Sequence, residues 1–290
     1  MGSFILSDRY ADPASGRISS YFSRLFILTG NGYFRYGLLD TEKNSVLSIA
    51  DYRMENVPKN QGQLQEEFAK LIANDEILVK KYPSVIIGID SPYHTLIPET
   101  FYSAEQSEAY FSLNFKMPEQ MITLADHISE VGAVNLAAIP GNLSNWLSVS
   151  FPGAVLVPGS SAMIRSFFLH NKNNPSESTI YLSVKSYSID LAHFSGSKLV
   201  FYNSFLCESK EDVLYFTLNL AEQLSLDPGQ LNLNLCGSVD EGSELYLLLS
   251  KYISSIHFID DFTTLNFRIQ SSKKAVRIYQ DLLGLTLCGS

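Results

Sequence analysis

The feature that most constrains the fold of this chain is an order of predicted elements that occurs twice, once in each half. Each copy begins with three strand-like runs and continues with a helix and a buried strand. The first copy comprises strands at 22–28, 33–39 and 45–51, a helix with Leu64, Phe68, Leu71 and Ile72 on one face, and a strand at 85–90. The second copy comprises strands at 179–184, 188–194 and 198–206, a helix from Ser209, a strand at 231–237, a helix at 241–252 and a strand at 256–259. Almost no residue is identical between the copies, so the repeat is one of pattern, and its half-chain spacing predicts two similar halves.

The segments between the copies complete the first of them. Residues 133–140 and 154–157 are strand-like, whereas residues 142–149 and 160–170 have a helical pattern. Strands that alternate with helices in this way are typical of the α/β class.

The best linker in the chain is the polar segment 171–177, which contains asparagine, proline and serine. It separates a first half over residues 21–172 from a second half over residues 178–290. Residues 1–20 are expected to form an N-terminal leader.

Composition sets outer limits on the class of protein. The 290 residues suffice for one large domain or two of about 145 residues each. The formal net charge of −9 argues against nucleic acid as the main partner, because such proteins usually need a basic surface. The three cysteines are too few for a disulfide framework. The sequence has neither the pattern of a signal peptide nor an apolar run of membrane-spanning length, so we expect a cytoplasmic protein without a transmembrane segment.

The doubled order of elements resembles the layout of the actin-like ATPases, the group of actin, sugar kinases and heat-shock ATPases. A closer resemblance rests on the sequences Lys-Leu-Val-Phe-Tyr-Asn-Ser-Phe at 198–205 and Glu-Asp-Val-Leu-Tyr-Phe at 211–216, with looser matches at 96–102 and 133–140. On these residues the chain is similar to a Bacteroidetes family of unknown function with an actin-like fold, over residues 20–269. A more distant likeness is to the actin-like protein of type IV pilus assembly platforms. The resemblance implies a duplicated actin-like, ribonuclease H-like fold with mixed sheets and flanking helices.

The resemblance also implies where a nucleotide site would lie. In ATPases of this fold, Mg-ATP binds between the halves, and each half offers a hairpin with an Asp-x-Gly sequence between its first two strands. In the first hairpin of this chain, Leu28 stands where the aspartate is expected, although Thr29, Gly30 and Gly32 remain as candidate cleft positions. A tight hairpin needs glycine in any case, so we interpret both glycines as turn residues.

The second hairpin departs further from the ATPase pattern. It runs from Ser183 to Tyr187 and has neither aspartate nor glycine, and Tyr187 is bulky where phosphate would pass. Lys185 either contacts an anion or is the solvated tip of a hairpin, and we favour the second interpretation. The adenosine-side motif is reduced to Gly237-Ser238, where we expect the glycine to serve a strand-to-helix turn. Ser183, Lys185, Gly237 and Ser238 are nevertheless the candidate cofactor-binding positions of this half.

One acidic residue is a candidate for catalysis. Asp90 ends the buried strand at 85–90, and open α/β sheets bind ligands at the carboxyl ends of their strands. It would act as a base or as a metal ligand through water, but we favour a turn or helix cap in Asp90-Ser91-Pro92. Asp190 is expected to be an exposed or paired strand carboxylate. The histidines and cysteines show no metal-binding spacing, so no metal site is predicted.

These observations favour a non-catalytic actin-like scaffold or protein-binding module with a degenerate nucleotide site and no cofactor. The alternative is a diverged ATP-binding protein or ATPase that takes Mg-ATP in the cleft, and a weaker one is a small-molecule sensor. The expected partner is another protein, while self-association and peripheral attachment to a membrane complex stay open. An insertion at 92–118, rich in tyrosine and phenylalanine, fits either an interface or burial against a helix.

Overall fold

The chain was analysed as a computed structural model, which describes residues 3–12, 20–30, 32–58, 61–117, 119–227, 231–269 and 272–289. Asn31 of the predicted first hairpin, and Pro228-Gly229, a pair typical of a helix end, lie outside the described residues. The strands are β1 (Ile5–Ala11), β2 (Ser23–Gly30), β3 (Tyr33–Asp40), β4 (Ser45–Arg53), β5 (Ser84–Ile89), β6 (His94–Pro98), β7 (Met121–Ile128), β8 (Ala133–Pro140), β9 (Val155–Pro158), β10 (Ser178–Val184), β11 (Ser188–Ser195), β12 (Lys198–Leu206), β13 (Asn232–Gly237), β14 (Ser255–Phe258) and β15 (Asn266–Phe267). The α-helices are α1 (Gln61–Asn74), α2 (Ser107–Ser112), α3 (Gly141–Ser150), α4 (Gly159–Asn173), α5 (Lys210–Gln223), α6 (Glu244–Leu249), α7 (Ser272–Ile278) and α8 (Gln280–Gly284).

The two main sheets share one plan. The first has the strand order β1-β4-β3-β2-β5-β9, and the second has the order β12-β11-β10-β13-β14. In each, an antiparallel meander is followed by two parallel strands, since β2 pairs with β5 and β10 pairs with β13 in parallel. The three-strand meanders predicted from the sequence are confirmed in both sheets.

Helix boundaries also follow local sequence signals. The predicted start of a helix at Ser209 is marked by a capping box: the Ser209 side chain accepts from the amide of Asp212, and the Asp212 carboxylate accepts from the amide of Ser209. These contacts satisfy amides that have no partner within the helix. The predicted amphipathic helix carrying Phe68 and Leu71 is α1, and both side chains are buried in the core of the first sheet.

A strand that the sequence did not predict lies within the segment assigned as a leader. β1 pairs antiparallel with β4, and its residues from Ile5 to Arg9 are exposed. β1 is an edge strand with mostly exposed side chains. Its sequence therefore lacks the alternation of apolar and polar residues that predicts a strand. Residues 5–11 are therefore part of the first sheet.

The insertion at 92–118 contributes β6 to a small third sheet with the order β6-β8-β7, of which neither β6 nor β7 was predicted. Of the two alternatives for its aromatic residues, an exposed interface or burial, each holds for some of them. Phe111 is fully buried with Ile97 and Leu136, and Tyr102 and Phe115 pack against that cluster. Phe101, in contrast, is 72% exposed.

Helix α4 lies between the two main sheets and joins their cores. Ala162 packs in the cluster of Phe26 and Leu28 from the first sheet. Met163 and Phe167, on another face of the same helix, pack with the second sheet. The C-terminal helices α7 and α8 follow the second sheet in the chain but place Tyr279 and Leu282 in the core of the first, while Arg277 of α7 lies over the ring of Phe258 in the second. The division into halves at 21–172 and 178–290 stays a prediction.

Candidate functional site

The candidate residues gather where β2, β5, β10 and β13 end. Asp90 directly follows β5, and its amide donates to the carbonyl of Thr29 at 2.8 Å. On the second sheet the amide of Ser238 donates to the carbonyl of Val184, also at 2.8 Å. Parallel strands present their carboxyl ends at one edge of a sheet, which explains why these separate positions lie together in each half.

Lys185 extends from the second sheet to Asp90 of the first. Its Nζ lies 3.3 Å from both carboxylate oxygens of Asp90 and 3.0 Å from Oδ2 of Asp190. The side chain of Lys185 is only 15% exposed, and that of Asp190 is completely buried. The favoured interpretation of Lys185 as a solvated hairpin tip is therefore wrong, because two carboxylates draw its ammonium inward. Of the two roles expected for Asp190, an exposed or a paired strand carboxylate, the structure shows the paired one.

Asp90 accepts from both hairpins. Besides Lys185, the hydroxyl of Tyr33 donates to its Oδ2 at 2.9 Å. These contacts, rather than a turn or a helix cap, are the role of the Asp90 carboxylate, so the favoured interpretation missed its main partners. Burial disfavours the charged carboxylate, but Lys185 and Tyr33 outweigh it and hold the pKa of Asp90 below its usual value. Burial likewise opposes the ammonium, yet Asp190 and Asp90 raise the pKa of Lys185 above its usual value.

A hydrogen-bonded chain continues from Asp190 to His94. The hydroxyl of Ser204 donates to Oδ1 of Asp190 at 2.5 Å, and Nε2 of His94 lies 2.8 Å from the same hydroxyl oxygen. Because Ser204 donates to Asp190, its oxygen accepts from Nε2 of His94, which fixes the tautomer. Burial, together with the nearby Lys185, lowers the pKa of His94 to about 4, so the ring is neutral near pH 7. Since His94 belongs to β6 and Ser204 to β12, this contact joins the small third sheet to the second main sheet.

The glycines of the first hairpin serve the backbone and one ring. Gly32 has a φ of +80°, the left-handed conformation that favours glycine. A Cβ on Gly30 would lie 2.6 Å from the ring of Tyr33, so this glycine leaves space for that side chain. The hydroxyl of Thr29 donates to the carbonyl of Tyr33 at 3.0 Å and closes the hairpin. These contacts agree with the interpretation of both glycines as turn residues.

The remaining candidate positions lie beside Lys185 without touching the carboxylates. Gly237 has a φ of +91°, and a Cβ there would lie 2.1 Å from the carbonyl oxygen of Val184. A glycine is therefore required for the turn that follows β13. Ser183 is buried and pairs in register with Cys236, whereas Ser238 is exposed.

A second ion cluster lies on the other side of Tyr33. The guanidinium of Arg35 lies 4.9 Å from the centre of the Tyr33 ring and pairs with Asp51 at 3.2 Å and Asp281 at 3.1 Å. Arg53, which also pairs with Asp51, donates to the hydroxyl of Ser186 at 2.9 Å. The first hairpin is thereby held between two buried charge clusters.

Sequence reasoning missed Tyr33, His94 and Ser204 as members of the site. Tyr33 had a signal, since it directly follows Gly32 in the hairpin. The pairing of His94 with Ser204 joins residues 110 positions apart and leaves no local pattern. Among the described residues, no group of three or more histidine, cysteine, aspartate or glutamate side chains is arranged to hold a metal ion.

The fold defines this protein as a member of the actin-like ATPase fold class. A solved structure of similar fold, a Bacteroides thetaiotaomicron protein of unknown function with an actin-like ATPase fold, is 21% identical, with a TM-score of 0.78 over 93% of this chain and 97% of that one. A structure of the PilM-PilN type IV pilus biogenesis complex matches with 14% identity and a TM-score of 0.60 over 91% of this chain and 97% of the matched chain.

The particular family follows from the sequence itself. The chain belongs to the family described as protein of unknown function DUF3822, whose profile matches residues 15–256. The resemblance inferred from the sequence is thus confirmed. A search of curated proteins gives no significant match. Within the described ranges, no helix has the length and apolar character needed to span a membrane.

Proposed function

We propose that this protein is a non-catalytic actin-like scaffold or protein-binding module whose nucleotide site is degenerate. The observation that carries the proposal is the position of Lys185, whose ammonium lies between Asp90 and Asp190 in the cleft. In an ATPase of this fold, carboxylates at such positions are available to a metal ion or to the attacking water. Here they are occupied by a side chain of the protein itself.

The residues of this cleft do not fit Mg-ATP. Mg²⁺ requires oxygen ligands at about 2.0–2.1 Å in octahedral geometry, whereas both carboxylates already share one ammonium at 3.0–3.3 Å. Phosphate binding by a hairpin requires open backbone amides, usually at glycines. The ring of Tyr33 covers the face that Gly30 would expose. The hydroxyl of Tyr33 donates to Asp90, so moving the ring away from Gly30 would break this hydrogen bond.

A role in protein binding has separate support. The structural neighbour PilM was solved in a complex with PilN, which makes a protein partner a reasonable expectation for a chain of this fold. Tyr187 and Leu206 are 81% and 68% exposed at adjoining ends of β11 and β12, since Ser188 pairs in register with Leu206. Large exposed apolar side chains on adjoining segments are candidates for an interaction surface. Attachment to a membrane complex through such a partner, and self-association, belong to the same proposal.

The alternative remains a diverged ATP-binding protein. The observation in its favour is that Thr29 and Gly30 end β2, Gly32 lies in the first hairpin and Gly237 ends β13, where ATPases of this fold bind nucleotide. Each has a structural role of its own, so their presence supports nucleotide binding only weakly.

A thermal-shift titration of the wild-type protein with Mg-ATP and Mg-ADP separates the two functions. We expect no change in Tm with either nucleotide. A ligand at one hundred times its Kd stabilises a protein by about 2.7 kcal/mol, which corresponds to a rise of roughly 5 °C or more in Tm. A concentration-dependent rise of that size, with amide exchange slowed at residues 29–33 and 183–187, would overturn the proposal.

The protein-binding part is tested by cross-linking in the native host, followed by purification. The double variant Tyr187→Ser, Leu206→Ser is compared with wild type and with Leu247→Ser, Tyr252→Ser, which changes two exposed side chains elsewhere. We expect one protein to be cross-linked by the wild type and the control and lost from the Tyr187 and Leu206 variant. Equal recovery with all three proteins excludes this surface, and recovery of no protein by the wild type contradicts the binding role.

A further inference from the structure

We propose that Asp90, Lys185 and Asp190 form an internal clasp, in which the Lys185 ammonium is a tethered cation that holds the two halves in one arrangement. The inference deepens the proposed function and rests on it in one respect: the clasp occupies the cleft that a nucleotide would need. It assigns to these three residues a joint role that the fold class does not supply.

The clasp joins elements from different parts of the chain. Asp90 follows β5 of the first sheet, whereas Lys185 follows β10 and Asp190 lies in β11 of the second. Asp190 fixes the ammonium from within its own sheet at 3.0 Å, and Asp90 meets it from the other sheet at 3.3 Å. An ion pair that crosses such a boundary resists any motion that separates the halves.

The clasp depends on the charge of the Lys185 ammonium rather than on the volume of its side chain. The three groups carry two negative charges and one positive charge in a mostly buried position. Without the ammonium, two carboxylates would face each other with no cation between them, which is strongly unfavourable away from water. The hydroxyl of Tyr33 donates to Asp90 and that of Ser204 to Asp190, but neither supplies charge.

Both hairpins therefore bind the same internal anion. The hydroxyl of Tyr33 from the first hairpin and the ammonium of Lys185 from the second converge on the Asp90 carboxylate. In the ATPases, the corresponding hairpins converge on the phosphates of a ligand. Asp90 thus acts as an anion supplied by the protein, and Lys185 as a cation supplied by the protein.

Two further contacts stabilise the same arrangement across the boundary. Arg53 of β4 donates to Ser186 next to Lys185, and His94 of β6 donates to Ser204 of β12. In the first contact Ser186 is uncharged, and in the second both partners are uncharged, so the ion pair is the only charge–charge contact of the three. Loss of the ammonium is therefore expected to weaken the boundary more than loss of either hydrogen bond.

A double-mutant cycle measures the clasp directly. We expect Lys185→Met to lower Tm by roughly 10 °C, because breaking a buried ion pair is costly. The effects of Lys185→Met and Asp90→Asn are expected to be non-additive, since both remove one interaction. The exposed Lys198→Met serves as the control and should shift Tm by less than about 2 °C. Additive effects of the two changes would overturn the clasp.

Rescue by a small cation separates charge from packing. Lys185→Ala leaves space for an added ammonium ion, whereas Lys185→Met fills that space without charge. Methylammonium chloride should raise the Tm of the alanine variant saturably, relative to sodium chloride at the same ionic strength, and leave the methionine variant unchanged. An equal response of both variants, or none in either, contradicts the role as a tethered cation.

Asp90→Asn keeps the proposal testable if the Lys185 variants do not fold, because Lys185 retains Asp190 in that protein. We expect amide exchange at residues 184–188 to become about tenfold faster, which corresponds to the loss of about 1.4 kcal/mol of local protection. Unchanged exchange would overturn the clasp. If the wild type binds nucleotide and the Lys185 and Asp90 variants are still non-additive, only the proposed function is overturned. If the variants are additive and the wild type binds no nucleotide, only the clasp is overturned.

Discussion

The two hairpins that contact Asp90 occupy the same place in their respective sheets but use different chemistry. The hairpin between β2 and β3 contains Gly30 and Gly32 and contributes an uncharged hydroxyl, that of Tyr33, within its own sheet. The hairpin between β10 and β11 contributes the charged Lys185, which extends to Asp90 of the other sheet. The side chains of both hairpins donate to the Asp90 carboxylate. A shared topology thus places the side chains, and the type of residue decides whether the contact stays within one sheet or joins two.

The difference has an energetic consequence. A hydrogen bond from a neutral hydroxyl to a carboxylate contributes about 1.5–3 kcal/mol. Breaking a buried ion pair by removing one partner costs about 3–5 kcal/mol, because the other charge is left uncompensated. The second hairpin should therefore be far more sensitive to substitution than the first.

The largest effect is expected at Asp190, the fully buried partner of Lys185. Asp190→Ala removes its fully buried ion pair and the acceptor of the Ser204 hydroxyl, while Lys185 retains Asp90, so we expect the free energy of unfolding to fall by about 3 kcal/mol. Urea denaturation measures this loss. The matched control is Asp240→Ala, whose carboxylate is 67% exposed and pairs with Arg277 at 3.7 Å. We expect that control to cost less than about 1 kcal/mol, and equal losses in both variants would remove the distinction between the hairpins.

The first hairpin provides the next test. Tyr33→Phe keeps the ring that lies over Gly30 and removes only the hydroxyl that donates to Asp90. We expect the free energy of unfolding to fall by about 2 kcal/mol, less than for Asp190→Ala, because Lys185 still compensates the carboxylate. The same urea titration measures it, with Tyr252→Phe at a half-exposed position as the control. A loss as large as that of Asp190→Ala would contradict the comparison.

Much of the fold could be predicted from the sequence because its strands have buried faces. The runs at 22–28 and 85–90 correspond to β2 and β5, whose side chains are nearly all buried. β1 was missed for the opposite reason, since an exposed edge strand has no apolar alternation. β7 was missed for a similar reason, since only its last residue, Ile128, is buried.

The site was predictable only in part. The position of Asp90 at a strand end was read correctly from the buried run before it, but its partners were not. The usual behaviour of lysine at a hairpin tip gave the wrong environment for Lys185. Two carboxylates distant in sequence, Asp90 and Asp190, make its burial favourable, and no local pattern reveals that they meet. Predictions of this kind fail where a tertiary ion pair reverses the ordinary solvation preference of a residue.

The smallest expected effect is a dependence of stability on pH that comes from His94, at the end of the second hairpin's network. His94 extends the charged network of the second hairpin through Ser204, and its Nδ1 has no hydrogen-bond partner among the described residues. Burial lowers the pKa of His94 to about 4 in the folded protein, below its ordinary value near 6.5. Between these values the unfolded chain binds a proton that the folded protein does not, so stability from this group is full above about pH 6.5 and is lost as the pH falls toward 4.

A fall from about pH 7.5 to about pH 5.5 should therefore cost the wild type roughly 1 kcal/mol through His94. His94→Gln retains a donor for Ser204 and cannot be protonated, so the difference between wild type and variant isolates this contribution. His257→Gln, at an exposed position, is the control and should keep the wild-type pH dependence. If His94→Gln follows the wild-type profile over this range, the ring is not held neutral by burial, and the second hairpin's network ends at Ser204. If the pH dependence disappears in His94→Gln, the network extends from Asp90 through Lys185, Asp190 and Ser204 to His94 of β6. Its charges are then confined to the three residues of the clasp.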